Sequence, residues 1–446
     1  MRKRLKGLTA LQTLAIGFAV MILLGALLLS LPAASRGLPL AFGDALFTAT
    51  SATCVTGLAV CDTYTQFTFF GQLVILCLIQ IGGLGFMTVA VLFSLVLRKR
   101  IGLKERSYLM EAVSSPQLGG VVRFVRRILL GTAVIELMGA ALLGIRFVPM
   151  FGWREGAWFA LFHSISAFCN AGFDLMGGFG PYSSLEPFAS DVLVNLTIMG
   201  LIVTGGIGFL VWDDIAEHKW HVRRYLLHTK IMLCATLALL VLSFVVYLAL
   251  EGEGAMAGMT GGEKALASAF LAVTPRTAGF NTVPMDRLSE AGAAFTSILM
   301  LIGAGAGSTG GGVKLTTVVV ILLSALFYAR GQEDVNVFHR RVADERVRRA
   351  FCGAVMYLLL AIIGCFMILA EQRGMALTDA LFEALSAIGT VGLSRAGTAG
   401  LGGLSRATLI VLMYAGRVGS LSVAMALSEK KRPAGLRNTV GKVVVG

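Results

Sequence analysis

Long apolar runs alternate with short polar ones through most of the chain. Runs at residues 11–31, 70–97, 128–148, 188–212, 226–250, 291–328, 351–370 and 404–428 each hold about 20 residues or more, the length an α-helix needs to cross ~30 Å of hydrocarbon. The pattern predicts an all-α membrane protein with eight transmembrane helices. Between spans one and two, three and four, five and six, and seven and eight lie segments too apolar for ordinary loops and too short for spans.

These four segments copy one another. Asp44-Ala-Leu-Phe-Thr-Ala-Thr-Ser-Ala-Thr-Cys-Val-Thr-Gly57-Leu58 and Asp379-Ala-Leu-Phe-Glu-Ala-Leu-Ser-Ala-Ile-Gly-Thr-Val-Gly392-Leu393 agree at most positions. The second copy keeps Phe162, Ser166, Ala167 and Gly172 in register, and the third, the most divergent, still closes on Gly279-Phe280. Aligned on Gly57, Gly172, Gly279 and Gly392, the intervals are 115, 107 and 113 residues. The chain therefore reads as four copies of helix, re-entrant segment, helix.

Each re-entrant segment offers about ten residues of helix, which rise ~15 Å and cover half the membrane. Extended backbone at that depth is tolerated only against protein or water, because unpaired amides and carbonyls in lipid cost several kcal/mol each. Four such segments around one axis would close a pseudo-fourfold pore. A glycine at each turning point lets backbone approach the axis, where carbonyl oxygens can replace the hydration shell of a cation. The outer segments carry few carboxylates near these glycines, so the attraction falls to backbone dipoles. Asp44 and Asp379 stand where they would cap the opposite ends of their half-helices.

The spans that follow the re-entrant segments are rich in glycine. Gln80-Ile-Gly-Gly-Leu-Gly-Phe86 is echoed by Thr204-Gly-Gly-Ile-Gly-Phe209, and the sixth span swells to Gly303-Ala-Gly-Ala-Gly-Ser-Thr-Gly-Gly-Gly-Val-Lys314. Such a run has low helix propensity and predicts a broken helix. A phosphate-binding loop would need Gly-Lys-Ser/Thr after a strand, and this Gly-Gly-Val-Lys lies inside an apolar run. Beneath the re-entrant glycines the broken segment would act as a gate. Arg417, well inside the last span, is expensive there unless it faces water or carbonyls, and points to control of ion flow or attachment to the glycine-rich segment.

Composition supports the membrane reading: 56% of residues are hydrophobic and only 14% charged, too few to cover a water-facing surface. The net charge of +13 would suggest nucleic acid, but 27 of the 38 Lys and Arg fall at 1–6, 98–127, 219–230, 330–349 and 430–442. That alternation places both termini in the cytoplasm. Seven cysteines have no metal-site spacing, His163 reads as a packed residue, and no nucleophile, base and orienting acid can be assembled, so an enzyme is not expected.

From residue 11 to 430 the chain resembles the superfamily of Ktr, Trk and plant HKT potassium transporters. The most specific matches are Thr53-Cys-Val-Thr-Gly-Leu58, Asn170-Ala-Gly-Phe173, Thr277-Ala-Gly-Phe280, Gly389-Thr-Val-Gly-Leu393 and Gly307-Ser-Thr-Gly-Gly-Gly-Val-Lys314. The resemblance implies a selectivity filter at Thr56, Gly57, Ala171, Gly172, Ala278, Gly279, Val391 and Gly392, flanked by Val55, Asn170, Thr277 and Thr390. K+ would bind at the backbone carbonyls of Gly57, Gly172, Gly279 and Gly392. It implies a gate at Gly305, Gly307, Ser308, Thr309, Gly310, Gly311, Gly312 and Lys314, and a pore arginine at Arg417. The expected repeats are 1–98, 120–215, 224–330 and 348–430, followed by a short cytoplasmic tail at 431–446. Eight spans resemble the Ktr pore subunit most, which implies a homodimer in the cytoplasmic membrane on a ring of nucleotide-binding regulatory proteins of the RCK/KTN type, with Na+ as an activator and no cofactor on this chain. A sodium- or proton-coupled symporter is the alternative to channel-like uptake, because broken helices also build carrier sites.

Overall fold

The computed structural model describes residues 10–85, 120–332 and 334–419. The basic clusters at 1–6 and 430–442, most of that at 98–127, the tail, and the far ends of the second and eighth spans lie outside the described residues.

The fold is four helix, half-helix, helix repeats. In the first, α1 (Ala10–Leu29) leads to half-helix α2 (Phe42–Thr53) and then α3 (Phe69–Leu84). In the second, α4 (Val121–Phe168) is both spanning helix and half-helix, folded on itself at Gly152, where φ is 81° and ψ 168°; α5 (Val192–Gly206) and α6 (Phe209–His218) follow. The third contains α7 (Leu227–Glu251), half-helix α8 (Gly261–Val273), and α9 (Glu290–Leu301) separated from α10 (Leu315–Ala329) by the glycine-rich loop. The fourth contains α11 (Asp344–Glu371), half-helix α12 (Leu377–Gly389) and α13 (Gly403–Val418). A two-residue hairpin, Asn336–Val337 with Arg340–Arg341, decorates the α10–α11 connection.

Opening helices and closing helices differ. The former include α1, α7, α11 and the long arm of α4, each long and apolar enough to cross a membrane. Their outward faces, such as Leu24 and Leu27 on α1 or Val241 and Val245 on α7, stay exposed for lipid. The closing helices are shorter because a glycine at positive φ stops three of them: Gly85 (82°), Gly208 (104°) and Gly419 (95°). At Gly208 the apolar run expected as one span at 188–212 turns by 92° into α6.

The half-helices form the centre, with Phe47, Phe162, Phe270 and Phe382 fully buried. Each repeat ties its opening helix to its closing one near the half-helix entrance. Thr68 Oγ1 donates to Ala33 O at 2.7 Å, Arg146 pairs with Asp191 at 2.5 Å, and Ser289 and Ser405 donate to Glu251 and Glu371, both at 2.6 Å. Asp44 and Asp379 are not caps: their half-helices begin after Ala41 and Ala376, leaving each carboxylate inside the first turn. There they pair with arginines of the fourth repeat, Asp44 with Arg406 at 2.6 Å and Asp379 with Arg395 at 3.1 Å, while still opposing the positive helix end.

Candidate functional site

Each half-helix ends in the same backbone figure. Two residues before the glycine, Val55, Asn170, Thr277 and Thr390 take φ of 56°, 59°, 66° and 52°; the glycines follow at 95°, 70°, 79° and 93°. Val, Thr and Thr are poor residues for that left-handed region, so the surrounding structure must hold them there. It does so from the half-helix. Thr56, Ala171 and Val391 donate their N–H groups to the carbonyls of Ser51, Ser166 and Ser386 at 2.8 Å, and Ala278 donates to Thr274 at 3.0 Å. The same serine hydroxyls accept from Gly57 and Gly392 at 3.1 Å, while Ser166 donates to Phe173 O at 2.7 Å. In the divergent third repeat Thr274, one position later, donates to Phe280 O.

With the N–H groups engaged outward, the four glycines meet. A Cβ placed on Gly57 would lie 2.6 Å from Ala171 O, on Gly172 2.7 Å from Ala278 O, and on Gly279 2.5 Å from Val391 O; on Gly392 it would strike Thr56 O. The contacts run from repeat one to two, three, four and back to one, a closed ring of backbone that only glycine permits. The carbonyls of Thr56, Gly57, Ala171, Gly172, Ala278, Gly279, Val391 and Gly392 accept no hydrogen bond among the described residues. Buried carbonyls without donors are costly unless something positive takes their lone pairs.

On one side the ring opens into a cavity of about 280 Å³ lined by all four glycines, Asp174, Glu186, Asp286 and Arg395. This corrects the expectation of few nearby carboxylates. They come from two outer connections that fold back over the ring, Asp174 and Glu186 from the one before α5 and Asp286 from the one before α9. Burial and the neighbouring Asp62 push the Asp174 carboxyl up to about 7, and burial and Asp286 raise Glu186. His163 is indeed packed, bonded through Nδ1 to Phe159 O at 2.7 Å and accepting the Leu175 N–H at Nε2.

The glycine-rich loop lies on the opposite side. Gly303 N–H donates to Val313 O at 2.8 Å and closes its base. Thr309 Oγ1 donates to Asn170 Oδ1 at 2.9 Å, Gly311 N–H donates to Thr390 Oγ1 at 3.1 Å, and a Cβ on Gly310 would strike Thr277 Oγ1. The loop thus rests on the residues two before the glycine in repeats two, three and four. Lys314 Nζ staples it internally, donating to Gly310 O at 2.8 Å. Its tip is held by Gly305 N–H to Gly206 O and Phe209 N–H to Gly307 O, both 2.8 Å.

Arg417 completes the circle. Its guanidinium donates to Thr309 O in the loop and to Gly82 O and Gly83 O, the latter at 3.0 Å, at the end of α3 in repeat one. A cation suits carbonyls at a helix C-terminus. The geometry adds a third member to the echo seen in the sequence between the second and fourth spans: Gly82-Gly83-Leu84-Gly85, Gly205-Gly206-Ile207-Gly208 and Gly416-Arg417-Val418-Gly419 are one motif, with Arg417 in the place of Gly83 and Gly206. In all three the first glycine is required because a Cβ would strike the carbonyl of Thr53, Phe168 or Ile388 at the end of its own half-helix.

Four half-helices, an axial ring of carbonyls without a donor among the described residues and a loop beneath it define the architecture of a membrane transport protein. Residues 9–434 match the family model described as TrkH, cation transport protein. The chain belongs to this family, as its motifs indicated. It is 43% identical over 437 residues to the Ktr system potassium uptake protein B of Bacillus subtilis, covering 98% of this chain and 96% of that one. It is 38% identical to the potassium/sodium uptake protein NtpJ of Enterococcus hirae, covering 97% and 96%. The crystal structure of the potassium transporter TrkH from Vibrio parahaemolyticus superposes with a TM-score of 0.70 at 19% identity, over 93% of this chain and 85% of that one, which establishes the shared fold.

Proposed function

We propose that this chain is the pore subunit of a potassium uptake system. K+ enters the cavity beside Asp174, sheds water against the carbonyls of Thr56–Gly57, Ala171–Gly172, Ala278–Gly279 and Val391–Gly392, and passes on when the loop at 303–313 moves aside. The observation that carries this reading is the closed ring of carbonyls with no donor among the described residues. The Lys314 amine and the Arg417 guanidinium stand across the exit while the loop is docked. Val55, Asn170, Thr277 and Thr390 form the turn of the filter, and the last three are also the seat of the gate.

The basic stretches at 219–230 and 330–349 share the loop's side of the fold, which supports the reading of that side as cytoplasmic. The negative interior then drives entry with about 2.3 kcal/mol per charge per 100 mV, so no coupled ion is needed. Two such subunits on a cytoplasmic nucleotide-binding ring, with Na+ as activator, complete the system that the family resemblance implies.

Current across bilayers holding the purified subunit tests the reading. The reversal potential is expected to follow the potassium gradient alone; a reversal that moves with sodium or pH by the amount a fixed coupling stoichiometry sets would establish symport instead, and no potassium current would refute both.

The cavity predicts a pH response. The Asp174 carboxyl is charged above its raised value near 7 and neutral below, so acidifying the outer face through that value removes one negative charge from the mouth. A loss of ~0.5–1 kcal/mol of attraction raises the half-saturating K+ concentration roughly two- to fivefold. Asp174→Asn is expected to show the weak, acid-form value throughout; an asparagine variant that kept the wild-type pH profile would place the titrating group elsewhere.

A further inference from the structure

The stretch joining α6 to α7 carries chemistry that the ion path does not use. Because the chain turns 92° between α5 and α6, α6 runs across the end of the bundle instead of through it. Its inward face is buried at Phe209, Val211 and Asp214. Just beyond it Trp220 is 94% exposed, with Val222 and Leu226 exposed beside it. The long spanning helix α7 starts at Leu227, so these side chains sit where a helix leaves the hydrocarbon.

The charge here is one-sided. Lys219, Arg223 and Arg224 are exposed and make no ion pair among the described residues. The nearby acids are largely engaged: Asp213 pairs with Arg127 at 2.6 Å, and Asp214 accepts from His218 Nδ1 and Leu226 N–H, both at 2.9 Å. Glu217 is the exposed acid of α6. An indole in the headgroup layer keeps its apolar body in the acyl boundary and its N–H in water, and guanidinium groups there pair with lipid phosphate.

We propose that residues 219–226 bind an anionic phospholipid of the leaflet on the loop's side, with Trp220 and Leu226 at the acyl boundary and Arg223 and Arg224 on the phosphate. The site has a direct mechanical route to the glycine-rich loop. Phe209 N–H, at the other end of α6, donates to Gly307 O at 2.8 Å, and a Cβ on Gly208 would lie 2.8 Å from Ala306 O. The loop tip rests on the N-terminus of a ten-residue helix whose far end meets the lipid. A lipid that pins α6 in this position favours the docked loop and lowers flux. This last link rests on the reading of 303–313 as a gate.

The test uses the full-length protein in phosphatidylcholine vesicles with and without phosphatidylglycerol. Trp220 emission, taken as the difference between wild type and Trp220→Phe, should be quenched more by brominated phosphatidylglycerol than by brominated phosphatidylcholine. Arg223→Gln with Arg224→Gln should remove that preference, and lysine at both positions should keep it. Potassium flux of the wild type should fall roughly tenfold on adding phosphatidylglycerol, and that of the glutamine variant should not. Equal quenching by the two lipids overturns the site. So does a glutamine variant that keeps the lipid preference but loses binding of a soluble regulatory protein, which would make the patch a protein-docking surface. A quenching preference with lipid-independent flux overturns the link to the gate and leaves the filter reading untouched.

Discussion

Replacing Gly392 by alanine is expected to raise the sodium-to-potassium permeability ratio at least tenfold and to cut potassium uptake sharply. The glycine sits at φ 93°, where an L side chain is strained by roughly 1–2 kcal/mol. Its Cβ would strike Thr56 O and approach Gly57 Cα to 2.9 Å. Both obstacles are backbone, so relief requires the ring itself to shift, and the first carbonyls displaced are those proposed to coordinate K+. A tenfold change corresponds to about 1.4 kcal/mol, comparable to the backbone strain alone and before the clash with Thr56 O is counted. Gly57→Ser and Gly279→Ser should act in the same direction. Gly403→Ala, where nothing lies within 4 Å of the new atom, is the control. Permeability ratios from reversal potentials decide the matter, and an unchanged ratio in folded Gly392→Ala protein would mean that the ring does not select the ion.

The second large effect is expected from Arg417→Gln, which should raise resting potassium flux roughly ten- to a hundredfold. Arg417 holds Thr309 of the loop to the end of α3 by charge-assisted bonds. Such bonds contribute about 1.5–3 kcal/mol each, and glutamine, shorter and neutral, cannot reproduce two of them. Thr309→Val, which removes the bond to Asn170 Oδ1, should loosen the loop less, and the double variant should show less than the summed effect because both act on one element. Deleting residues within 305–312 should likewise raise leak. Complete loss of flux with an intact fold would instead make Arg417 and the loop part of the permeation path.

Much of this architecture was legible because it is written four times. A single glycine after a short apolar segment says little, whereas Gly57, Gly172, Gly279 and Gly392 at similar intervals between pairs of spans leave few other arrangements. What stayed hidden depends on three dimensions or on competing propensities. The break at Gly208 sits in an apolar stretch that reads as one span, and the turn there is fixed by the loop docking on Phe209. The left-handed turns fall on Val55, Thr277 and Thr390, residues that propensity would place last in that conformation; only their shared register two before the glycine signals them. Asp174 and Glu186 from one outer connection and Asp286 from another converge on the cavity, and no spacing rule connects them. Asp44 and Asp379 looked like caps because an acid near a helix start usually is one, but Arg406 and Arg395 claim them.

The closing contact between Gly392 and Thr56 also bears on how the protein is made. The last repeat delivers the fourth side of the ring and, within the next helix, Arg417. A chain still emerging from the ribosome with three repeats inserted therefore has neither an aperture nor a latch. On the proposed reading, conduction and restraint become available almost together, once the fourth repeat is inserted, so membranes filling with unfinished copies are not left leaking through them.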